Sequence, residues 1–225
     1  MKIVEIAKTL HGELPLIGSP CLLIRLAGCN LACPYCDTDV DSRMEIAPDE
    51  LVKIISESNL LNVLITGGEP LLQIEEVQEV LRLVNANPYI LGPKGSVIIE
   101  TNGTIPTSPI RAEPSYPCTF VFDLKHINIL GPEKFADSLE VIDYARSNDI
   151  VKFVFWDDDS FNFFYEIAKD LDTLAKMVFS PTWSLVREKP EELKAWTDQI
   201  ISLQDMNSDK RFAFQVQLHK VLGVK

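Results

Sequence analysis

The sequence has no excess of basic residues and no long apolar run. Lys and Arg number 21 against 33 Asp and Glu, a formal net charge of -12, whereas a nucleic-acid-binding surface needs a basic patch. No apolar run reaches the roughly 18 to 20 residues of a membrane span, and the opening residues lack the apolar region of a secretion signal. We therefore expect a cytoplasmic protein that binds neither nucleic acid nor a membrane.

Cysteine is scarce and unevenly placed. Of the five cysteines, Cys29, Cys33 and Cys36 fall in one loop with a C-x3-C-x2-C spacing. In a reducing compartment, clustered cysteines favour a metal over a disulfide. Three thiolates can hold three irons of a [4Fe-4S] cluster, and since such clusters normally use four protein ligands, one iron is left open. An open iron indicates chemistry beyond electron storage.

Two non-enzymatic interpretations of this loop stay open at this point. One is an iron–sulfur redox carrier, and the other is a zinc-stabilised interaction domain. Both normally use four protein ligands. Cys21 lies within an apolar run and Cys118 is remote in sequence, so we expect each to be a buried small hydrophobic side chain.

Apolar runs followed by a polar turn and a helical pattern recur along the chain, which predicts parallel strands covered by helices. The strand patterns are at 21–26, 62–66, 97–103, 120–126, 150–155 and 177–181, with a short strand at 3–6 and a terminal strand at 211–220. Helices are predicted over 48–55, 75–84, 132–146, 161–174 and 190–203. Because a full (β/α)8 barrel typically takes about 250 residues, we predict an α/β fold, an open partial (β/α) barrel of about six parallel strands in a single domain, 1–225.

Polar residues gather where the predicted strands end, which is where ligands bind in such folds. They are Thr66, Glu69, Thr101, Asn102, Asp123, Lys125 and Ser180. Arg25 stands out because a guanidinium within an apolar strand must be paired or face a cavity. The three consecutive acids at 157–159 precede a helix and are interpreted as its N-terminal cap.

The cysteine loop and the segment Thr66-Gly67-Gly68-Glu69-Pro70 together resemble the radical S-adenosylmethionine (SAM) superfamily. In that superfamily the cysteine loop carries a [4Fe-4S] cluster and the Gly-Gly-Glu-Pro segment receives the amino group of SAM. The resemblance implies that Cys29, Cys33 and Cys36 bind the cluster. It also implies that SAM is bound by Tyr35, Cys36, Asp37, Gly67, Gly68, Glu69, Lys125 and Ser180.

Three further segments, 9–30, 100–104 and 214–220, resemble the 7-carboxy-7-deazaguanine synthase family. That family converts 6-carboxy-5,6,7,8-tetrahydropterin into a deazapurine for queuosine or archaeosine, and it expels ammonia. The resemblance implies Mg2+ at Thr38, an external flavodoxin- or ferredoxin-like electron donor, and a homodimer. The implied substrate-binding residues are Leu10, His11, Gly12, Glu13, Arg25, Thr66 and His219.

The chain departs from that family's pattern in two places. His11 stands where many members carry glutamine, and Asp123-Leu124-Lys125 stands where they carry Ser-Pro-Lys. Asp-Leu-Lys is also similar to the glycyl-radical activating enzymes, which makes an activating protein the nearest enzymatic alternative. Such a protein usually lacks the His-Gly-Glu and Gln-Leu-His-Lys segments that this chain has.

Overall fold

The fold is seen in a computed structural model that describes residues 1–41, 43–112 and 118–224. Its strands are β1 (Lys2–Leu10), β2 (Pro20–Leu26), β3 (Met44–Glu45), β4 (Asn62–Gly67), β5 (Ser96–Thr101), β6 (Cys118–Leu124), β7 (Ile150–Phe155), β8 (Lys176–Pro181) and β9 (Phe212–Phe214). Its helices are α1 (Pro48–Glu57), α2 (Ile74–Ala86), α3 (Ser108–Arg111), α4 (Ile127–Leu130), α5 (Pro132–Asp143), α6 (Asp158–Asp170), α7 (Trp183–Glu188), α8 (Leu193–Met206) and α9 (Leu218–Leu222). None of these helices is long and apolar enough to cross a membrane.

The described strands form one sheet in the order β3-β1-β2-β4-β5-β6-β7-β8-β9. The six strands β2 and β4 to β8 run parallel, as predicted, and β9 adds to them in the same direction. β1 pairs antiparallel with β2. Because β3 and β9 stand at opposite ends of this order and the described residues show no pairing between them, the sheet formed by the described residues is an open α/β arrangement.

The first and last strands along the chain, β1 and β9, differ from their predicted bounds. β1 is longer than 3–6 because its register with β2 continues as far as Leu10 opposite Pro20. The predicted strand over 211–220 is wrong after Phe214, since 218–222 forms α9. The alternation of polar and apolar residues at 214–217, which suggested a strand, has another cause. The side-chain amides of Gln215 and Gln217 both donate to the Glu13 carboxylate, at 2.9 and 3.0 Å.

The helix ends show how local capping chemistry fixes the bounds. α6 starts earlier than predicted, and Asp157 caps it by accepting from the Ser160 amide at 2.8 Å, as the acidic run indicated. α6 and α5 both end before their predicted limits of 174 and 146. β3, α3, α4 and α7 were not predicted, because elements this short carry no periodic apolar pattern.

The two faces of the sheet bury different clusters. The helices cover one face with the larger apolar core, which includes Leu81, Phe153 and Phe179. On the other face a smaller apolar cluster fills the amino-terminal end of the sheet: Cys21, Leu23, Leu64, Ile98, Val121, Ile150 and Val178. Successive side chains of a strand alternate between faces, so the residues two positions further along share this inner face.

Candidate active site

The inner face changes from apolar to polar at one level of the sheet. Two residues after six members of the smaller apolar cluster come Arg25, Thr66, Glu100, Asp123, Lys152 and Ser180, one on each of β2 and β4 to β8. All six line a cavity of about 900 Å3 at the carboxyl ends of the strands. The apolar cluster therefore closes the bottom of the cavity, and charged groups form its wall.

The cysteine loop lies on the rim of this cavity. Cys29, Cys33 and Cys36 all line it, with Cys29 and Cys33 half-buried and Cys36 exposed. The Gly28 amide donates to the Val40 carbonyl at 2.9 Å, which joins the two ends of the loop, and the Cys36 amide donates to the Cys33 carbonyl at 3.0 Å. Burial raises the pKa of the Cys33 thiol, an effect that the Lys125 ammonium opposes.

Glu69 lies beneath this rim and is fully buried. Its carboxylate accepts from the Thr101 hydroxyl at 2.8 Å, the Asn102 amide at 2.7 Å and the Leu71 amide at 2.9 Å. Burial raises the pKa of Glu69 while these donors lower it. Glu69 is not among the described residues that line the cavity. Its carboxylate instead holds the surrounding turns in place.

Gly67 and Gly68 do line the cavity. A Cβ at Gly68 would lie 1.7 Å from the Gly28 carbonyl oxygen. Only glycine therefore allows this turn to pack against the start of the cysteine loop.

The loop after β1 carries the second group of predicted residues. His11 is buried, and its Nδ1 lies 2.6 Å from the Glu13 carbonyl oxygen. Glu13 is 7% exposed, and its carboxylate accepts from Lys152 Nζ at 2.9 Å as well as from the two glutamine amides. Although burial acts in the opposite direction, the Lys152 ammonium lowers the pKa of Glu13 to about 2. The loop thus presents an ionised, rigidly held carboxylate.

His219 closes this side of the cavity. A Cβ at Gly12 would lie 1.8 Å from His219 Nδ1, and the Leu218 amide donates to the Gly12 carbonyl at 2.9 Å. Burial lowers the pKa of His219, which Glu13 opposes. Lys220 donates to the Asp37 carboxylate, so the C-terminal segment contacts both the loop after β1 and the cysteine loop.

Arg25 and Thr38 lie together on the cavity wall formed by β2 and the end of the cysteine loop. Arg25 Nη1 donates to Thr38 Oγ1 at 3.4 Å, and its Nε lies 3.6 Å from Glu5 Oε2. The neighbouring strand supplies Thr66, whose hydroxyl donates to Glu100 at 2.9 Å. Arg25 is thus partly paired and still faces the cavity, which satisfies both of the roles predicted for a guanidinium in an apolar strand.

Lys125 and Tyr35 lie close together where β6 meets the cysteine loop. Lys125 Nζ lies 2.9 Å from Asp123 Oδ2 and 5.3 Å from the centre of the Tyr35 ring. Burial would lower the pKa of Lys125, yet the charge on Asp123 raises it above its ordinary value. This ammonium therefore stays charged between the cysteine loop and β6.

The chemistry of the site fits bound ligands. The described residues contain three buried side-chain polar atoms without a hydrogen-bond partner, His11 Nε2, Tyr35 Oη and Asp123 Oδ1. All three residues line the cavity, and buried polar groups are normally paired. The donor set for a cluster, three thiols on one loop, is also present.

Within the described ranges, no group of three or more His, Cys, Asp or Glu converges on the position of a single metal ion, so the three loop thiols suit a cluster, in which each thiolate binds a different iron, and do not form a mononuclear metal site. Cys21 and Cys118 do not line the cavity in that part of the chain either. Cys21 lies fully buried in the smaller apolar cluster, as predicted, whereas Cys118 is only half-buried against the larger core. Burial raises the pKa of each of these two thiols to about 11. Neither cysteine is placed as a fourth ligand for the loop.

The structure thus brings every predicted site residue except Glu69 to one cavity. It adds Lys152, Glu100, Gln215 and Gln217, which the sequence-based prediction missed as site residues. A signal for Lys152 was present, because a lysine inside a buried apolar strand is the same anomaly as Arg25. The two glutamines gave no such signal, because they contact the site across about 200 positions of chain.

Comparison with known proteins defines the class. A family model described as the Radical SAM superfamily matches residues 23–156, a span that includes the cysteine loop and the Gly-Gly-Glu-Pro turn. The crystal structure of QueE from Escherichia coli superposes with a TM-score of 0.65 over 95% of this chain and 93% of that chain, at 22% identity, a likeness that shows the fold. The chain belongs to the radical SAM superfamily.

The curated relatives define the family within that class. The 7-carboxy-7-deazaguanine synthase of Methanospirillum hungatei JF-1 is 34% identical over 100% of this chain and 86% of its own length. That of Thermoplasma acidophilum is 32% identical over 81% of this chain and 83% of its own length. The chain belongs to the 7-carboxy-7-deazaguanine synthase family.

Proposed function

We propose that the chain is a 7-carboxy-7-deazaguanine synthase, a radical SAM carbon–nitrogen lyase. It converts 6-carboxy-5,6,7,8-tetrahydropterin into 7-carboxy-7-deazaguanine with loss of ammonia. The observation that carries this proposal is the convergence, around one cavity of about 900 Å3, of the three-cysteine loop with a paired carboxylate and a guanidinium. A redox carrier has no use for such a cavity.

The cysteine side of the cavity is proposed to hold the cofactors. Cys29, Cys33 and Cys36 would bind a [4Fe-4S] cluster, and the 35–37 backbone, Gly67, Gly68, Lys125 and Ser180 would contact SAM. When bound, these cofactors would supply the radical chemistry that removes a hydrogen atom from the substrate. Glu69 supports this side by fixing the Asn102 amide, and the Asn102 side chain in turn donates to Asn30 beside Cys29 at 2.8 Å.

The opposite side is proposed to hold the pterin. Arg25 suits the substrate carboxylate because a guanidinium can donate two parallel hydrogen bonds. Glu13, held ionised, accepts hydrogen bonds from ring N–H groups, and Thr66, His219 and the 10–12 backbone complete the contacts. The apolar cluster beneath the cavity excludes water from the bottom of the site.

Further features of the proposal concern partners. We infer that Thr38 contributes to a Mg2+ site, in which substrate oxygens and waters complete the coordination because a lone hydroxyl is a poor site for this hard ion. An external flavodoxin- or ferredoxin-like protein would deliver the electron. A homodimer would cover an exposed sheet edge such as β3.

Anaerobic turnover tests the proposed reaction. The reconstituted protein, dithionite, SAM, Mg2+ and 6-carboxytetrahydropterin should yield 7-carboxy-7-deazaguanine, detected by mass spectrometry. Cys33→Ala should abolish both product and bound iron, whereas Cys118→Ala, remote from the cavity, should retain both. Accumulation of 5′-deoxyadenosine without a deazapurine would instead favour a glycyl-radical activating protein.

A further inference from the structure

Lys152 is the least exposed of the charged side chains that line the cavity in the described part of the chain. It occupies the middle of β7, lies directly opposite Asp123 of β6 in the sheet register and is 6% exposed. Burying a lone ammonium carries a large desolvation penalty. A lysine at this position therefore requires compensating anions.

Two carboxylates from separate elements supply that compensation. Lys152 Nζ lies 2.9 Å from Glu13 Oε2 and 3.5 Å from Asp123 Oδ2, while Asp123 also pairs with Lys125. The four side chains alternate in sign from Glu13 through Lys152 and Asp123 to Lys125. Lys152 thus joins the loop after β1, on the proposed pterin side, to β6, on the proposed SAM side.

The Glu13 carboxylate shows what this contact achieves. Its Oε2 accepts from both Lys152 and Gln215, and its Oε1 accepts from Gln217 alone. A carboxylate oxygen can accept about two hydrogen bonds, so Oε1 keeps one lone pair for a ligand N–H. The ammonium fixes Oε2 and therefore the direction in which Oε1 faces.

We propose that Lys152 is a positioning residue for the reaction, which keeps Glu13 ionised and oriented toward an N–H donor edge of the substrate. This inference rests on the proposed function for the identity of the substrate. It assigns Lys152 no contact with the reacting atoms. Glu13 is the group through which it acts.

The charges around this pair set the expected pH dependence. Lys152 of β7 and His219 of α9 face Glu13, while Asp123 of β6 and Glu100 of β5 face Lys152. In the wild type the pKa of Glu13 is lowered from 4.5 to about 2, so its stabilisation is present above pH 4.5 and is lost as pH falls toward 2. Removing the ammonium leaves burial to raise this pKa above 4.5, and stability should then fall as pH rises above 4.5.

The test is a double-substitution cycle on the holoenzyme with Lys152→Met, Glu13→Gln and their combination. Binding of oxidised 6-carboxypterin without reductant, and unfolding by urea, are measured from pH 4.5 to 9. In Lys152→Met, binding at pH 7 should weaken at least tenfold and recover toward pH 9, because the neutral form of Glu13 is a poorer acceptor. Combined with Glu13→Gln, the same substitution should change binding less than twofold at every pH.

Matched variants separate positioning from packing. Lys152→Arg should stay within threefold of the wild type, and Lys176→Met, which removes a lysine at the other end of neighbouring β8, should change nothing. Equal losses from Lys152→Met at all pH values and in both Glu13 backgrounds would overturn the proposal. If Lys152→Met alone does not fold, the combined variant is compared with Glu13→Gln. A difference in binding of more than twofold between these two variants would contradict the proposal.

The unfolding measurements test the role of Lys152 independently of the proposed reaction. If the wild type does not bind the pterin probe, the proposed substrate is wrong. The stability cycle still decides whether Lys152 holds Glu13, because Lys152→Met should lose stability as pH rises from 4.5, whereas Glu13 gives the wild type no pH slope in that range. A slope unchanged by Lys152→Met would overturn the inference.

Discussion

The Glu69 carboxylate and the Asn102 amide, 33 positions apart, are joined by a 2.7 Å hydrogen bond. Asn102 also donates to Asn30, next to the first cysteine of the loop. The buried glutamate therefore connects the Gly-Gly-Glu-Pro turn, the turn after β5 and the cysteine loop. Glu69 itself is not among the described residues that line the cavity, so we expect it to act on the cofactor side by holding these three segments together.

We predict that Glu69→Gln destabilises the fold by about 2–3 kcal/mol and lowers bound iron after reconstitution. An amide has one acceptor oxygen in place of two, so a buried donor loses its charged partner. Urea unfolding and iron content measure the two effects. Glu188→Gln, the same change at an exposed position, is the control, and equal stability of the two variants would contradict the prediction.

A second prediction concerns stability far from the cysteine loop. Asp149 is fully buried and accepts from Arg111 Nη2 at 2.5 Å, the Arg146 amide at 2.6 Å and the Phe120 amide at 2.9 Å. Since removing one partner leaves a buried charge unpaired, Asp149→Ala should cost about 3–5 kcal/mol of unfolding free energy. Glu79→Ala, which breaks the exposed pair with Arg82, should cost below about 1 kcal/mol in the same denaturation experiment.

The proposed Mg2+ site predicts a metal-dependent phenotype for Thr38→Val. Valine keeps the shape of threonine and removes its hydroxyl, so a weakened site needs more metal. The Mg2+ concentration for half-maximal turnover should rise about tenfold, equivalent to about 1.4 kcal/mol, while iron content stays unchanged. An unaltered Mg2+ titration would remove Thr38 from the site.

The contact between Gly12 and His219 predicts a steric effect on substrate binding. Gly12→Ala should displace His219, since the new Cβ would lie 1.8 Å from Nδ1, and the KM for the pterin should rise at least tenfold with little change in the KM for SAM. In a His219→Ala background most of that clash is gone, so Gly12→Ala should add less than threefold. Additive effects in the double variant would show that the two residues act independently.

Local patterns predicted the parts of this molecule that local chemistry determines. The cysteine spacing, the glycine turn and the apolar strands are all readable within short segments, and the structure has them where the sequence indicated. Arg25 was identifiable because a charge inside an apolar run is unusual at any single position. Thr66 and Ser180 were identifiable because each follows a strand pattern.

The site features that the sequence did not predict depend on contacts between residues far apart in the chain. Lys152 and Glu13 are 139 positions apart, and neither flanking segment signals the other. The alternation of Gln215 and Gln217 is the pattern of a strand, yet its physical cause is the common acceptor Glu13, and the chain turns into α9 directly afterwards. The role of Glu69 as a buried acceptor was likewise hidden, because the donors at 101 and 102 belong to the next strand's end.

The contact between the loop after β1 and the C-terminal segment also bears on the order in which the site assembles during folding. Gln215 reaches Glu13 across 202 positions, and contacts of such separation form late because loop closure must come first. The sheet can therefore be complete while the pterin side is still unassembled. In hydrogen exchange, the amides of Leu14 and Leu218, bonded across this closure, should lose protection before those of the central strands, so binding competence is lost before the fold is.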